Sequence, residues 1–416
     1  MKKLKKVKAG AIQYVLVVSV IIMIVLAGFI SLVFLQNKVQ LKSELYQHTL
    51  QNCYAAFDYL SQKEIPYNTP TELQFSEFDY EHTTLVKKRW GLFDIAIATS
   101  KLRNERNIQV GLMGSHNNKR KALFLKDNNQ PLKLVGDTRI VGDVVLPQRG
   151  VHSGNIAGTS YYGKKLIYGS IKNSSEQLPN IKNIAYIKQL VKEYPPENTT
   201  LINLEDKANI RQYFLEKTLM FKTSLPLMLR EMSFSGNIVL ISDSEIQVSA
   251  STKLNHVILI APKIYIQQGF KGNLQAFASE QLTVSSQTKL TYPSSLSLIN
   301  LKKEKEEANI QLLIKSKADV RGVVLYHGDS RENSYKTQLK IEQKATVTGE
   351  VYCNKNLELN GNVNGYVHAN NFITKQFGSV YMNHIFNGVI DSKSISEHYA
   401  GLLMNNGELN VAQWIE

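Results

Sequence analysis

The strongest hydrophobic pattern lies near the start of the chain. Ala11–Leu35 reads AIQYVLVVSVIIMIVLAGFISLVFL, 25 residues without a formal charge. As a helix rising ~1.5 Å per residue, it spans a hydrocarbon layer of ~30 Å with some tilt. A helix is the form required, because lipid offers no partner to free backbone N–H and C=O groups. Gln36–Lys63 follows with apolar residues at Val39, Leu41, Leu45, Leu50, Ala55, Ala56, Phe57 and Leu60 and no Pro or Gly, which predicts a stalk helix over 36–63. Leu92–Ala98, Ile108–Met113 and Ala122–Leu125 are strand-like runs between Asn-, Gly- and Lys-rich turns, so 64–130 reads as a small α+β unit packed on the stalk. Ile181–Tyr194 and Lys207–Met220 read as helices. The first carries Ile184, Ile187, Leu190, Val191 and Tyr194 on one face and is stopped by Pro195-Pro196.

From Gly236 the pattern turns to short alternating runs. Ile238–Ile241 is followed by Ile246–Val248, Val257–Ile260 by Ile264–Ile266, and Leu274–Phe277 by Leu282–Val284. Ile246, Ile264 and Leu282 recur every 18 residues, while Ile238, Val257 and Leu274 are 19 and 17 apart. Such a period suits a β-solenoid, whose turns stack the same strands so that inward apolar residues form ladders. A β-sandwich with evenly spaced strands is the competing arrangement. A second repeat, apolar-x-Gly-x-Val, occurs at Ile140–Val144, Val320–Val324, Val347–Val351, Leu359–Val363 and Val363–Val367. Its glycines, Gly142, Gly322, Gly349, Gly361 and Gly365, permit a positive φ or a tight corner between short strands. The predicted fold is thus an N-terminal transmembrane helix with a stalk, a small α+β unit, then a mainly-β solenoid (β-helix) with a helical insertion. In residues this is a basic tail 1–10, a transmembrane helix 11–35, a stalk 36–63, an α+β unit 64–130, strands or a cap of the solenoid 131–180, a helical insertion 181–230, and a solenoid 231–416 with a C-terminal cap from Ile395 to Trp414.

Charge then sets the topology. The net charge is +14, and five of those positives lie in the first eight residues, MKKLKKVK. A short basic flank places the N-terminus in the cytoplasm and residues 36–416 outside. The segment is too long for a cleaved signal, and no A-x-A-like site follows it. The remaining +9 is scattered, as at Lys87-Lys88-Arg89 and Lys119-Arg120-Lys121, with no aromatic platform for nucleic acid. The expected setting is a bacterial inner (cytoplasmic) membrane crossed once. The candidate partners are the lipid bilayer, a second copy of the chain, and envelope proteins or polysaccharides, with no nucleic acid.

Lys8, Gly10 and Ala11, followed by an unbroken apolar helix, resemble the leader of type IV prepilins, above all minor pilins and pseudopilins that begin Gly-Ala. That resemblance implies processing between Gly10 and Ala11. The chain departs from the usual pattern at Val15, where most pilins carry Glu. Ala345–His368 resembles the bactofilins, polymer-forming β-helical proteins, which implies self-assembly.

Candidate chemistry is sparse. The nine His lack metal spacing, no cofactor motif occurs, and no catalytic, cofactor or metal residue is assigned. Cys53 and Cys353 are too isolated for zinc; two buried thiols, or one disulfide if the stalk packs on the solenoid, are the readings. His368 shows no local carboxylate, and Asp243, Asp319, Asp329 and Glu350 are out of register with the 18-residue period. His327-Gly328-Asp329 with Arg331 is the one local titratable group, expected in an exposed turn. The expected role is an extracytoplasmic scaffold; the alternatives are a minor pilin-like subunit and a polysaccharide-active β-helix enzyme.

Overall fold

The computed structural model describes residues 10–75, 81–116, 120–194, 199–204, 208–302, 310–329, 335–405 and 407–415. It contains two α-helices, and most of the remainder is strand. The chain divides into two compact units. One holds 1–59, 70–86 and 98–109; the other holds 60–69, 87–97 and 110–416.

The apolar segment and the stalk are one uninterrupted helix, α1 (Gly10–Gln62). Every residue from Gly10 to Glu44 is exposed, including Ile21, Ile24, Phe29 and Phe34. This helix is long and apolar enough to cross a membrane. Its character changes beyond Thr49, where Cys53, Ala56 and Phe57 are buried. Within the same unit, the Cys53 thiol lies 3.6 Å from the Ala98 carbonyl and 3.7 Å from that of Asn107. The Asn52 amide donates to Glu81 at 2.7 Å. An apolar stripe on the last turns of the helix thus finds strand residues to cover it. These strands belong to a five-stranded sheet ordered Thr71–Leu73, Glu81–Trp90, Phe93–Leu102, Glu105–His116 and Glu408–Trp414. The last pairs antiparallel with Gly111–His116, so the C-terminal stretch completes this sheet, where a solenoid cap was expected.

The body of the second unit is built from short parallel strands whose pairing closes on itself. Each strand pairs with its equivalent one repeat later. Leu227, Ile246, Ile264, Leu282, Leu312, Leu339, Leu357 and Phe372 form one row of Cα partners. Leu240, Leu259, Ala276, Leu296, Val324, Val351, Val367, Leu123 and Val144 form another. Apart from Leu227, the members of both rows are fully buried. Each large aliphatic residue in them contributes about 1.5–3 kcal/mol of burial. The spacing is 18 residues from Ile246 to Leu282, lengthens to 30 and 27 at Leu312 and Leu339, and returns to 18 at Leu357. The longer repeats carry extra chain between Asn300 and Gln311 and between Gly328 and Leu339, while the inward residues stay in register.

Two expectations need correction. Residues 209–220 are not helical: Asn209–Gln212 pairs in parallel with Ser233–Gly236, and Thr218–Thr223 carries Leu219 and Met220 against Ile238 and Val239. Ladder pairing overrides a weak local helical pattern here. Among the described residues of the expected insertion, the helix is α2 (Ile184–Lys192), with Ile187 and Leu190 buried. Second, the strands of 120–173 do not precede the repeats at 209 in the stack. Leu123 pairs with Val367, Val144 with Leu123, and Ile171 with Val144. They extend the far end of the array and satisfy the strand edge that Val367–Ala369 would otherwise leave open.

Candidate functional site

The glycines singled out by the repeat occupy two kinds of place. Gly322, Gly349 and Gly365 are mutual Cα partners on adjacent strands, at φ of 138°, 145° and 150°. A Cβ on Gly349 would collide with the Gly322 carbonyl oxygen, and one on Gly365 with that of Gly349. Gly142 has φ 116° and faces Ser392 and Ala122. Gly361 is not left-handed; a Cβ there would press on the carbonyls of Glu342 and Ala345 at 2.5 and 2.6 Å. Gly10 and Ala11 open α1, both exposed, and Lys8 lies outside the described residues.

Beside the glycine row, side chains on the outward positions of three adjacent strands converge. Val351, Cys353, Val367 and Ala369 point inward, so Glu350, Tyr352, Tyr366 and His368 point out. Register places Glu350 beside Tyr366, and Tyr352 beside His368 and then Phe124. Glu350 is nonetheless fully buried. Its Oε2 accepts the Leu402 N–H at 3.0 Å and lies 3.8 Å from the Arg120 guanidinium. Its Oε1 lies 3.8 Å from His368 Nδ1, and both atoms lack a hydrogen-bond partner among the described residues. Burial lowers the His368 pKa against the pull of Glu350, so the imidazole is neutral near pH 7. Arg120 donates to the Ser115 carbonyl and stands 5.3 Å from the ring centres of Tyr366 and Tyr399. Burial, reinforced by Glu350, raises the Tyr399 pKa well above its usual range.

The cluster opens on a slot of about 480 Å³ lined by Arg120, Lys121, Phe124, Asn180, Glu350 and His368. Chemically it does two things. The Glu350–Arg120–Leu402 contacts tie three distant chain segments together. The facing Glu350 Oε1 and His368 Nδ1 offer a carboxylate and a neutral imidazole to one small polar group. Aligning the two glycine motifs, Val347–Cys353 on Val363–Ala369, gives a 16-residue repeat that pairs Glu350 with Tyr366 and Tyr352 with His368, so Glu350 and His368 meet diagonally across adjacent strands.

The His327–Asp329 group is not an exposed turn. His327 and Asp329 side chains are 17% and 23% exposed. The Lys188 ammonium lies 2.5 Å from Asp329, and His327 Nδ1 lies 3.6 Å from it. Burial, helped by Lys188, pushes His327 down to about 4. Lys188 comes from α2, so the group pins that helix. Arg331 lies outside the described residues. Cys53 and Cys353 are both buried free thiols; burial pushes Cys353 up to about 12. Asp243 pairs with Lys222 at 3.6 Å and Asp319 with Arg321 at 3.2 Å, each on the surface.

No family model matches the chain and no curated protein matches it, so nothing supports the bactofilin resemblance of 345–368. Among solved structures the chain is similar to the competence-associated pilin ComZ from Thermus thermophilus, at 9% identity over 89% of this chain and 96% of that one. The TM-score is 0.21, too low for the likeness to carry an argument about fold or function.

Proposed function

We propose that the chain is a single-pass membrane protein whose parallel β body is a solenoid that serves as an extracytoplasmic scaffold in a bacterial envelope. The observation that carries this is the row from Leu227 to Phe372, eight inward residues in parallel register, one per repeat. In this reading the closed pairing is that of a coil stacked on itself, since every partner along the row lies one repeat ahead. Extra chain in some repeats then leaves the inward register of the flanking strands unchanged. The exposed length of α1 from Gly10 to Glu44 and the basic residues before it support the anchor and its orientation. Leu201 and Met228, on strands, and Leu225, in the bend between Thr218–Thr223 and Leu227–Leu229, are exposed apolar side chains that a partner or a second copy would cover. Light scattering of the full chain in mild detergent tests the assembly role. A mass above one protomer, rising with concentration, is expected, and a strict monomer at high concentration contradicts it.

A second reading, a minor pilin-like subunit of a pilus or secretion apparatus, rests on Lys8-Ala9-Gly10-Ala11 and the unbroken helix after it. Mass spectrometry of the mature N-terminus decides it. A chain starting at Ala11 with a methylated amine supports the pilin class, and intact Met1 removes it.

A further inference from the structure

Lysines that are scattered along the chain come together in the fold. The corner that opens one strand of each repeat carries a lysine on five successive rungs of the stack. Lys289 is the Cα partner of Lys271, and the Asn273 N–H donates to the Leu254 carbonyl, which sets Lys253 beside Lys271. On the next two rungs Asp319 pairs with Lys289, and Thr346 with Asp319. There the lysine stands two residues earlier, as Lys317 and Lys344, at left-handed corners with φ of 64° and 66°. All five lysines are exposed. At ~4.8 Å per rung the row is about 19 Å long and one lysine wide. Among the described residues no ion pair includes any of the five. The acids nearby are few. Asp319 pairs with Arg321 at 3.2 Å, Glu342 accepts the Ser316 N–H at 2.9 Å, and Glu231 stands one rung before Lys253.

Like charges side by side on neighbouring strands destabilise a sheet, so this row costs the free protein stability that a bound anion would return. Its surroundings narrow the partner. Among the described residues no large apolar side chain between 229 and 334 is exposed. That does not suit a protein interface, whose core is aromatic and poor in lysine, or a bilayer, which takes up amphipathic faces. It also leaves no exposed aromatic ring there for nucleic-acid bases to stack on. Exposed Asn255, Gln268 and Thr291 beside the row offer neutral hydrogen-bonding groups. A straight file of cations at a regular step matches a flexible chain with an anion on each unit. We propose that Lys253, Lys271, Lys289, Lys317 and Lys344 bind a linear polyanion that lies along the stack, its repeated carboxylates or phosphates on successive rungs. This rests on the scaffold reading only for where the polymer is met, in the envelope.

The test is fluorescence anisotropy of labelled polygalacturonate and labelled polyphosphate against the full-length protein in micelles of a non-ionic detergent. Saturable binding of at least one is expected at about 50 mM salt, weakened at least ten-fold at about 200 mM. The tighter of the two identifies the anion, and labelled neutral dextran should not bind. Lys253→Gln/Lys271→Gln/Lys289→Gln is expected to lower affinity at least ten-fold, a loss of about 1.4 kcal/mol. Lys101→Gln/Lys217→Gln/Lys263→Gln removes the same charge from exposed positions away from these corners. It should leave affinity within about two-fold, because exposed charges beyond a Debye length are screened. Should circular dichroism show the first variant unfolded, Lys317→Gln/Lys344→Gln takes its place. Saturable binding of neither polyanion overturns the proposal, as do equal losses in the row and control variants. Binding of dextran, or of single-stranded oligothymidylate more tightly than of both polyanions, overturns it too. Binding in micelles does not depend on which side of a membrane the row faces or on assembly. Its failure therefore leaves the scaffold reading standing, and failure of that reading leaves the binding result intact.

Discussion

Gly349 shows how one residue controls a stack. Its φ of 145° and its contact with the Gly322 carbonyl both exclude a side chain. Gly158, at φ 86°, has the conformational demand without the contact, since nothing lies within 4 Å of its Cβ position. Gly158→Ala is expected to cost about 1 kcal/mol and Gly349→Ala at least ~2 kcal/mol more, measured by chemical denaturation. Equal costs would mean the close approach is unimportant. Glu350→Ala leaves Arg120, whose side chain is 6% exposed, without its carboxylate. That should destabilise by about 3 kcal/mol, the low end for a broken buried pair because the separation is 3.8 Å. Acid should also destabilise the chain. Burial pushes His256 and His327 down to about 4 from 6.5. Their unfolded forms therefore take up protons first as pH falls from 6.5 to 4, each costing about 3 kcal/mol of stability. Asp94, pushed up to about 6 by burial, works the other way: protonation favours the folded form over 6 to 3.8, by a similar amount. His368 and His384, also lowered by burial, add losses of the same sign, so the net effect between pH 6.5 and 4 is a loss of at least about 3 kcal/mol, visible as a falling urea midpoint. A midpoint unchanged over that range would show that these groups are not buried as described.

At the scale of elements, the rows of inward residues make the strand register testable. Gln247 and Tyr265 are Cα partners on adjacent strands and point outward. Neighbouring strands lie ~4.8 Å apart, within reach of a disulfide. Gln247→Cys/Tyr265→Cys should therefore oxidise to an intramolecular bridge. Gln247→Cys/Thr283→Cys, two strands apart, should not. Bridging of the second pair in preference to the first would refute the register. Much of this arrangement is legible in the chain. The 18-residue spacing of Ile246, Ile264 and Leu282 reads directly as adjacent strands because no insertion interrupts it. It fades between Leu282 and Leu339 because the extra chain changes the spacing while leaving the inward positions fixed. Asn209–Thr223 defeats local reading because its strand state comes from pairing with 233–242, which no short window contains. The placement of 120–173 after residue 367 is likewise long-range information. The Glu350–His368 contact is diagonal across strands whose glycine motifs repeat at 16 residues, where Glu350 pairs with Tyr366, so neither spacing by itself points to it.

At the scale of the whole molecule, the central claim is an anchored protein whose β body faces away from the cytoplasm. The two native cysteines are buried, so they provide a silent background for added thiols. Phe377 is 72% exposed on the β body, and Lys3 lies in the basic leader. The decisive measurement is labelling of full-length Phe377→Cys and Lys3→Cys proteins with a membrane-impermeant maleimide, in intact cells and after lysis. The account predicts that position 377 is labelled in intact cells and position 3 only after lysis. Labelling of position 377 only after lysis would contradict it.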